Sequence, residues 1–427
     1  MRFNRVKGVH DIYAPEVYLY QKIEKVSKEV FELYGFKEIR LPIIEHTELF
    51  QRSIGSTTDI VEKEMYTFTD KGGRSITLRP EGTAGAVRAY IENGLYSLPS
   101  PQKFYYMGPM FRYERPQAGR FRQFHQIGVE AFGIAEPRMD LEVILLLQAI
   151  LKRLGFNSLT FEINSLGCSK CRPQYRERLI EFFSQKISAF CSDCQRRFEK
   201  NPLRLLDCKV PNCIKERTDA PSILQFLCKD CIRHFEKLRS YLEDMNIAYT
   251  IRHDLVRGLD YYTRTIFELK SETLGAQSAI AAGGRYDNLV EGFGGPPTPA
   301  IGFAIGIERL VSLIKTEKVI QEKGPKAYIA FLGDEAERAS LKIAEGLRDR
   351  GFWIELGTGG SLKAQLRRAD KLKAEYAIII GEDELKRSVL KWKRLSDGSE
   401  GEVSGSPENR QIFWGAGMEE EIIKVIS

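Results

Sequence analysis

No apolar run in this chain approaches the ~18 residues of a membrane-spanning helix, so a helical integral membrane protein is excluded. The opening MRFNRVKGVHDIY contains no hydrophobic h-region, so no secretory leader is expected and the expected compartment is the cytoplasm. No GxxxxGK[ST] phosphate loop occurs, which removes the P-loop route to a nucleotide. No internal repeat recurs, which excludes a repeat architecture. Neither sign of charge dominates. Lys and Arg total 64 and Asp and Glu 58, leaving +6 and a pI near 8.7. That balance permits a polyanionic partner without demanding one. Cysteine is missing from the whole chain outside one short stretch.

What is present describes a globular protein. The 427 residues allow two or three domains, and 43% hydrophobic with 29% charged residues suits a folded core. The eight cysteines are Cys168, Cys171, Cys191, Cys194, Cys208, Cys213, Cys228 and Cys231. In a reducing compartment they do not read as a disulfide framework. Their spacing, C-x2-C, C-x2-C, C-x4-C and C-x2-C, is a zinc signal, and eight thiols suit two sites of four thiolates each. The alternative is a set of reduced, partly buried cysteines without metal.

Periodicity organises the rest. Tyr20, Ile23, Val26, Val30, Phe31 and Tyr34 recur at helical spacing, Gly35 ends that helix, and Lys37–Ile44 reads as a strand with Pro42 inside it. Two strands span Lys103–Gly133, joined by the loop Arg115–Gly119, and a helix follows over Arg138–Leu154. Strands are expected at Phe161–Leu166, Thr250–Arg252, Ile266–Lys270 and Ser278–Ala282, interrupted by the polar, mostly helical cysteine segment. That interruption is the pattern of an inserted domain. After a polar joint, Lys315–Lys326, strands at Ala327–Leu332, Trp353–Leu356 and Tyr376–Gly381 alternate with helices at Glu335–Arg350 and Leu362–Leu372. Such alternation implies a separate α/β domain with a parallel sheet covered on both faces. Asp397–Asn409, rich in Gly, Ser and Glu, reads as a mobile loop.

Several segments carry chemistry. In the strand ending at Gly133, Ile127, Val129 and Ala131 share one face and suit a core. Phe124, Gln126, Gly128 and Glu130 share the other, a poor core and a good site. Arg112 and Glu114 share a face of the preceding strand. The plain alternative is a sheet with one solvated face. Arg79-Pro80-Glu81-Gly82-Thr83 offers a carboxylate and a hydroxyl, acceptors suited to an ammonium group, or else a turn whose Thr83 caps the next helix. Arg257-Gly258-Leu259-Asp260-Tyr261-Tyr262-Thr263 combines a bend, a fixed cation and two rings with hydroxyl tips. Ala281-Ala282-Gly283-Gly284-Arg285-Tyr286-Asp287 places paired glycines at a strand end, for ligand approach or a bulge. Pro299–Leu310 is an apolar strand leading into a helix that starts near Glu308-Arg309. Lys363, Arg367, Arg368, Lys371 and Lys373 crowd one helix and its exit, as a solvated face also would.

Together, from Lys7-Gly8-Val9-His10-Asp11 to about Leu395, these segments resemble the histidyl-tRNA synthetases, a class II aminoacyl-tRNA synthetase family. The short ATP signatures of class I synthetases are missing. The resemblance implies an α+β catalytic core with a mainly antiparallel sheet, an inserted mostly helical domain, and a C-terminal α/β domain. The expected bounds are 1–166 and 245–322 for the core, 167–244 for the Cys-rich insertion, and 326–427 for the anticodon-binding domain. It also implies a cytoplasmic homodimer that uses histidine, tRNA(His), and ATP with Mg²⁺.

Site roles follow from the same resemblance. Phe111–Gly133 looks like motif 2, Pro299–Leu310 like motif 3, and Arg257–Thr263 and Ala281–Asp287 like the two histidine-specific signatures. Arg112, Arg257 and Arg309 are the expected catalytic residues. Histidine is expected at Glu81, Thr83, Arg112, Gln126, Glu130, Arg257, Tyr261 and Tyr262. ATP is expected at Arg112, Glu114, Arg120, Phe124 and Arg309, with adenine on the Phe124 ring. Arg115, Gln117 and Arg120 are candidates for the tRNA acceptor end, and Arg367 and Arg368 for the anticodon stem. Two other functions are weighed: a non-catalytic paralogue that regulates ATP phosphoribosyltransferase in histidine biosynthesis, and an uncharged-tRNA sensor. Such paralogues usually lack the anticodon-binding domain and have eroded motifs, whereas both the domain and the arginines are here. The sensor normally sits beside a kinase, which nothing in this sequence resembles.

Overall fold

A computed structural model describes residues 3–55, 58–116, 119–157, 160–270, 279–317, 324–404 and 416–427. The chain divides into two compact units, Met1–Val319 and Ile320–Ser427.

The first unit is built on an eight-stranded sheet. Its strands are β1 (Lys37–Glu38), β2 (Gln102–Phe111), β3 (Gln123–Phe132), β4 (Phe161–Ser165), β5 (Tyr249–Ile251), β6 (Thr263–Lys270), β7 (Ala279–Arg285) and β8 (Ala300–Gly306). Their spatial order is β1-β2-β3-β8-β7-β6-β4-β5. Only the two outermost pairs, β1 with β2 and β4 with β5, are parallel. The expected α+β core with a mainly antiparallel sheet is therefore what forms. In β3, Ile127, Val129 and Ala131 are buried in alternation, as period two requires. Helix Pro137–Arg153 lays Met139, Val143, Ile144, Leu147, Ile150 and Leu151 into the core at helical spacing.

One expected strand is split. Helix Val17–Leu33 ends where Gly35 takes φ +71°, and Phe36 N–H closes on the Phe31 carbonyl at 2.9 Å. After it, Lys37–Glu38 joins the large sheet, whereas Ile44–His46 joins a separate antiparallel sheet with Ser75–Leu78 and Tyr66–Thr69. Between them the Leu41 and Pro42 carbonyls accept from Arg79 Nη1 at 2.8 and 3.4 Å. Proline has no N–H for a ladder, so the chain changes sheets there.

The cysteine segment lies between β4 and β5 and is helical: Arg172–Ser184, Ser192–Lys200, Pro211–Glu216 and Lys229–Asp244. Its apolar residues do not form a separate core. Tyr175, Leu179, Phe183, Leu205 and Leu206 share one buried cluster with Tyr261, Tyr262, Ile266 and Tyr286 from outside that segment.

The second unit has five strands in the order Ile354–Leu356, Ala327–Phe331, Tyr376–Ile380, Val389–Arg394, Glu400–Ser404. The first three are mutually parallel and the last two antiparallel. Ala327 and Ile329 face helices Asp334–Asp349 and Ala416–Ile426, and Tyr328 and Ala330 face helix Leu362–Lys371. Both faces are covered, as expected. The expected loop Asp397–Asn409 needs correction. Residues 400–404 are an edge strand, whose alternating charges suit a solvated edge, and 405–409 lie outside the described residues. Among the described residues, no helix is long and apolar enough to cross a membrane.

Candidate active site

A cavity of about 390 Å³ opens over the middle of the large sheet. Strand β3 places Phe124 and Gln126 on its lining, on the face opposite the core. Two residues further, Gly128 leaves room for the Tyr106 ring, which a Cβ there would meet at 2.2 Å. Glu130 lies beneath the lining and is 1% exposed. Its Oε1 accepts from Thr83 Oγ1 at 2.8 Å and from the Tyr106 hydroxyl at 3.1 Å, and its Oε2 accepts from the Tyr286 hydroxyl. Burial pushes the Glu130 carboxyl up to about 8, against the lowering effect of these hydroxyls.

Glu81 also turns inward. Its two oxygens accept from Thr83 N at 2.7 Å and Ala84 N at 2.9 Å, so Glu81 rather than Thr83 caps helix Thr83–Glu92. Thr83 Oγ1 is left to bridge to Glu130. Burial raises the Glu81 carboxyl above its ordinary range.

Above these carboxyls the guanidinium groups of Arg112, Arg120, Arg257 and Arg309 border the same cavity, which Arg217 and Arg252 also line. Arg112 is braced by Nε donating to Pro80 O at 2.8 Å and stands 5.3 Å from the Phe124 ring centroid. Arg120 pairs with Glu114, a buried residue that also lies 3.8 Å from Arg112. Arg257 Nη1 is 3.2 Å from Glu268. Helix Ile307–Glu317 delivers Arg309, whose Nη1 reaches the Ala279 carbonyl, while its neighbour Glu308 accepts the His125 N–H at 2.8 Å and so ties the helix to β3. Burial, then the neighbouring Arg120, Arg112 and Arg257 charges, hold Arg309 down to about 10. Four cations repelling one another around a cavity make a receptor for a polyanion. Gln126 Oε1 and Arg257 Nε are buried with no hydrogen-bond partner among the described residues.

Tyr261 and Tyr262 are buried on the lining, with ring centroids 4.7 Å apart. Their segment is held from outside. Arg204 Nη1 donates to Arg257 O at 2.7 Å, Arg172 Nη2 donates to Tyr262 O, and Asn201 Nδ2 donates to Asp260 Oδ1 at 3.1 Å. Gly283 and Gly284 sit within β7, not at its end, and a Cβ on Gly283 would stand 2.3 Å from Gly302 O. Their role is close strand packing, with a register shift at Gly284/Arg285.

The sequence reading thus brings together Glu81, Thr83, Arg112, Glu114, Arg120, Phe124, Gln126, Arg257, Tyr261, Tyr262 and Arg309 on one lining, with Glu130 beneath it. Arg115 is exposed on the loop after β2, and Gln117 lies outside the described residues. Arg367 and Arg368 are exposed on helix Leu362–Lys371 of the second unit, opposite its buried Gln365 and Ala369. Sequence reasoning missed Tyr106 and Glu268, and it quoted Tyr286 within a signature without giving it a role. Tyr106 had a legible signal, because Gly128 on the partner strand leaves a gap for a ring. It also missed Leu206, Asp207, Lys209 and Arg217, which bring the cysteine segment onto the cavity lining.

The cysteines gather into two quartets, Cys168, Cys171, Cys228 and Cys231, and Cys191, Cys194, Cys208 and Cys213. Within each, the four sulfurs lie within 4.8 Å of one another.

Comparison with known proteins finds two family models in this chain: Histidyl-tRNA synthetase over residues 8–310 and Anticodon binding domain over residues 326–406. A histidine–tRNA ligase of Thermodesulfovibrio yellowstonii is 55% identical over 405 residues, spanning 95% of this chain and 96% of that protein. One of Trichlorobacter lovleyi is 52% identical over 401 residues, spanning 94% and 95%. The crystal structure of apo S. aureus histidyl-tRNA synthetase superposes with a TM-score of 0.80 at 37% identity, covering 94% of this chain and 97% of that one.

Proposed function

The chain belongs to the histidyl-tRNA synthetase family, and from that membership we infer that it is a histidine–tRNA ligase. The observation that carries the reading is the convergence of Arg112, Arg120, Arg257 and Arg309 on one cavity floored by hydroxyls and carboxyls. A triphosphate supplies the negative charge those cations need, and an amino acid fits the acceptors beside them. The regulatory paralogue and the tRNA sensor are disfavoured by full-length likeness to ligases and by the intact arginine set.

The reaction has two steps. A carboxylate oxygen of histidine attacks the α-phosphorus of ATP, the bond to the β-phosphate oxygen breaks, and pyrophosphate leaves. A terminal ribose hydroxyl of tRNA(His) then attacks the carbonyl of histidyl-adenylate, and AMP leaves with the hydroxyl proton on a phosphate oxygen. No protein nucleophile is needed, only alignment and neutralisation of charge.

Arg112 and Arg257 hold the α-phosphate and the carboxylate, and Arg309 the outgoing pyrophosphate. Phe124 stacks on adenine, with Glu114 and Arg120 at the ATP end. Glu114 and Glu268 offer the hard oxygen donors that Mg²⁺ takes, and the ion supplies further neutralisation of the polyphosphate. Glu81 and Thr83 face the ammonium group, with Gln126 and Tyr261 beside the substrate. Neutral imidazole has one donor and one acceptor nitrogen, which Glu130 and the Tyr262 hydroxyl serve. Glu130 lies beneath the lining with its oxygens on Thr83, Tyr106 and Tyr286, so it meets the ring by exchanging one of these hydroxyls for the imidazole N–H. Arg115, Gln117 and Arg120 take the acceptor end, and Arg367 and Arg368 the anticodon stem.

Residues 1–166 and 245–322 form the catalytic core, 167–244 the insertion and 326–427 the anticodon-binding domain. The protein is a cytoplasmic homodimer; the exposed Leu33, Ile43, Ile44 and Phe68 support an interface around the helix and split strand. The cysteine module is the seat of structural zinc, supported by its two quartets of unbridged thiols. ATP–pyrophosphate exchange with each standard amino acid, followed by charging of tRNA(His), tests the function. Histidine alone is expected to drive exchange, and no exchange with histidine would overturn the reading.

A further inference from the structure

We propose that each cysteine quartet holds a single zinc ion, and that the ion at Cys191, Cys194, Cys208 and Cys213 positions the cavity wall that carries Arg257. The inference rests on the ligase reading and on the cysteine module as the seat of zinc. It adds which thiols share an ion and what the second ion does for the site.

The sulfur geometry is that of a mononuclear site. Sγ–Sγ separations are 3.7 Å for Cys168–Cys171, 3.8 Å for Cys168–Cys228 and 3.8 Å for Cys191–Cys208. A tetrahedron with Zn–S bonds of ~2.3 Å has edges of about 3.8 Å. A disulfide brings its sulfurs to ~2.05 Å, far closer than these. A cluster of several irons spreads its thiolates further apart. Backbone donors point at the sulfurs as well: Cys228 N–H at Cys171 Sγ, 3.1 Å, and Cys191 N–H at Cys213 Sγ, 3.2 Å. Donors of this kind favour a thiolate over a thiol, which is the form that binds a metal.

The two quartets have different places in the chain. The first joins both ends of the insertion and closes its neck. The second closes the excursion that contains the turn Pro202–Asp207. That turn is the wall. Arg204 within it donates to Arg257 O, and Asn201 just before it donates to Asp260. Asp207 and Lys209, on either side of Cys208, line the cavity. A ligand bond at Cys208 therefore fixes the chain between two lining residues and next to the support of Arg257. Arg204 is a positioning residue in this scheme, since it reaches substrate only through the Arg257 segment.

The test uses the full chain purified from zinc-supplied cells. Elemental analysis is expected to find two zinc ions per chain, one for each quartet. Cys191→Ala should lose one of them, and Cys191→His, which keeps a ligand, should retain it. With cobalt in place of zinc, wild type should show the absorption of tetrahedral thiolate sites, and Cys191→Ala about half of it. In pyrophosphate exchange, Cys191→Ala should raise the histidine KM about tenfold and the ATP KM less than about threefold, with Cys191→His restoring both. Should Cys191→Ala not fold, the wild-type metal count and cobalt spectrum decide the sites, and the histidine KM of Arg204→Met decides the positioning role. Wild type with less than about a tenth of an equivalent of zinc, or with iron in its place, would overturn the sites. Zinc loss without a change in histidine KM, or an unchanged histidine KM in Arg204→Met, would overturn the positioning role. A protein that holds its zinc but shows no histidine-dependent exchange would instead sink the ligase reading and leave the sites standing.

Discussion

The cavity has two walls of different construction. One is sheet: β3 pairs with β2 along its whole length and with β8 from Gln126 to Phe132, so ladders place Phe124, Gln126 and Glu130. The other is the segment Arg257–Tyr262, whose backbone is pinned by side chains from the cysteine module and by Asp260 N–H donating to Ile54 O at 3.0 Å. The sheet wall carries an aromatic ring and an amide, with a carboxyl beneath them, and its position is shared among many ladder bonds. The pinned wall carries a cation and two tyrosines, and each support is a single hydrogen bond. Damage to the pinned wall should therefore weaken histidine binding and spread to chemistry as well, and damage to the sheet wall should stay with recognition.

The sharpest break is expected at Arg257. Arg257→Ala removes a preorganised cation from the cavity, and such a loss costs roughly 10²–10³ in rate. Adenylate formation should fall by that factor while histidine binding suffers less. Near-normal pyrophosphate exchange would show that the pinned wall does not serve the reaction.

On the sheet wall the largest effect is expected from Glu130→Gln. Above about pH 8 the Glu130 carboxyl is ionised, and a hydrogen bond to a charged group contributes about 1.5–3 kcal/mol. Histidine affinity should weaken by roughly one to two orders of magnitude, with ATP affinity nearly unchanged. Calorimetry at one pH above about 8 decides it; equal histidine affinities there would remove Glu130 from recognition of the ring. The same variant tests the buried carboxyl. Its pKa rises from 4.5 to about 8 on folding, so between those values the folded protein holds a proton that the unfolded chain has released. Its contribution to stability is complete below about 4.5 and is lost as pH rises through about 8. Denaturant unfolding of ligand-free wild type should show that loss between about pH 4.5 and about pH 8, and Glu130→Gln should show a shallower decline.

The two walls also differed in how far sequence could reveal them. Period two sorted β3 correctly into core and site faces, because alternation is a local property of a strand. The arginines were found through family motifs, and all four reached one cavity. What stayed hidden was non-local. The strand at Pro42 changes sheets where proline has no N–H for the ladder, and the Leu41 and Pro42 carbonyls there are taken by Arg79, far along the chain. The pairing of cysteines into quartets joins Cys168 to Cys228, with the whole insertion between them. Arg204, Asp207 and Lys209 carry no periodic signature, and their place at the cavity follows from how the insertion packs. Glu400–Ser404 was read as a loop because charged alternation on an edge strand has the composition of one.

Arg204→Met sharpens the comparison at smaller scale. It keeps much of the buried volume and removes the donor to Arg257 O. One such bond, made by a charged group to a carbonyl, puts the expected loss at about tenfold in histidine-dependent exchange. Arg204 is not itself on the cavity lining, so an effect there reports the support of the pinned wall. A variant as active as wild type would mean that Asn201, Arg172 and Ile54 hold the segment without it.

The smallest effect is expected where neither wall is touched. Arg367 and Arg368 stand exposed on helix Leu362–Lys371, in a unit with its own core. Exposed cations on a polyanion contribute through counterion release, and removing one phosphate contact lowers the salt slope by about 1. Arg367→Gln with Arg368→Gln should raise the KM for tRNA(His) by roughly threefold to tenfold at moderate salt and flatten its salt dependence. Pyrophosphate exchange needs no tRNA and should not change. This pairing isolates docking from activation, because any change in exchange would have to act on one of the two cavity walls. A tRNA KM equal to wild type across a salt series would return both arginines to an ordinary solvated helix face, and the anticodon stem would have to be sought on another surface of that unit.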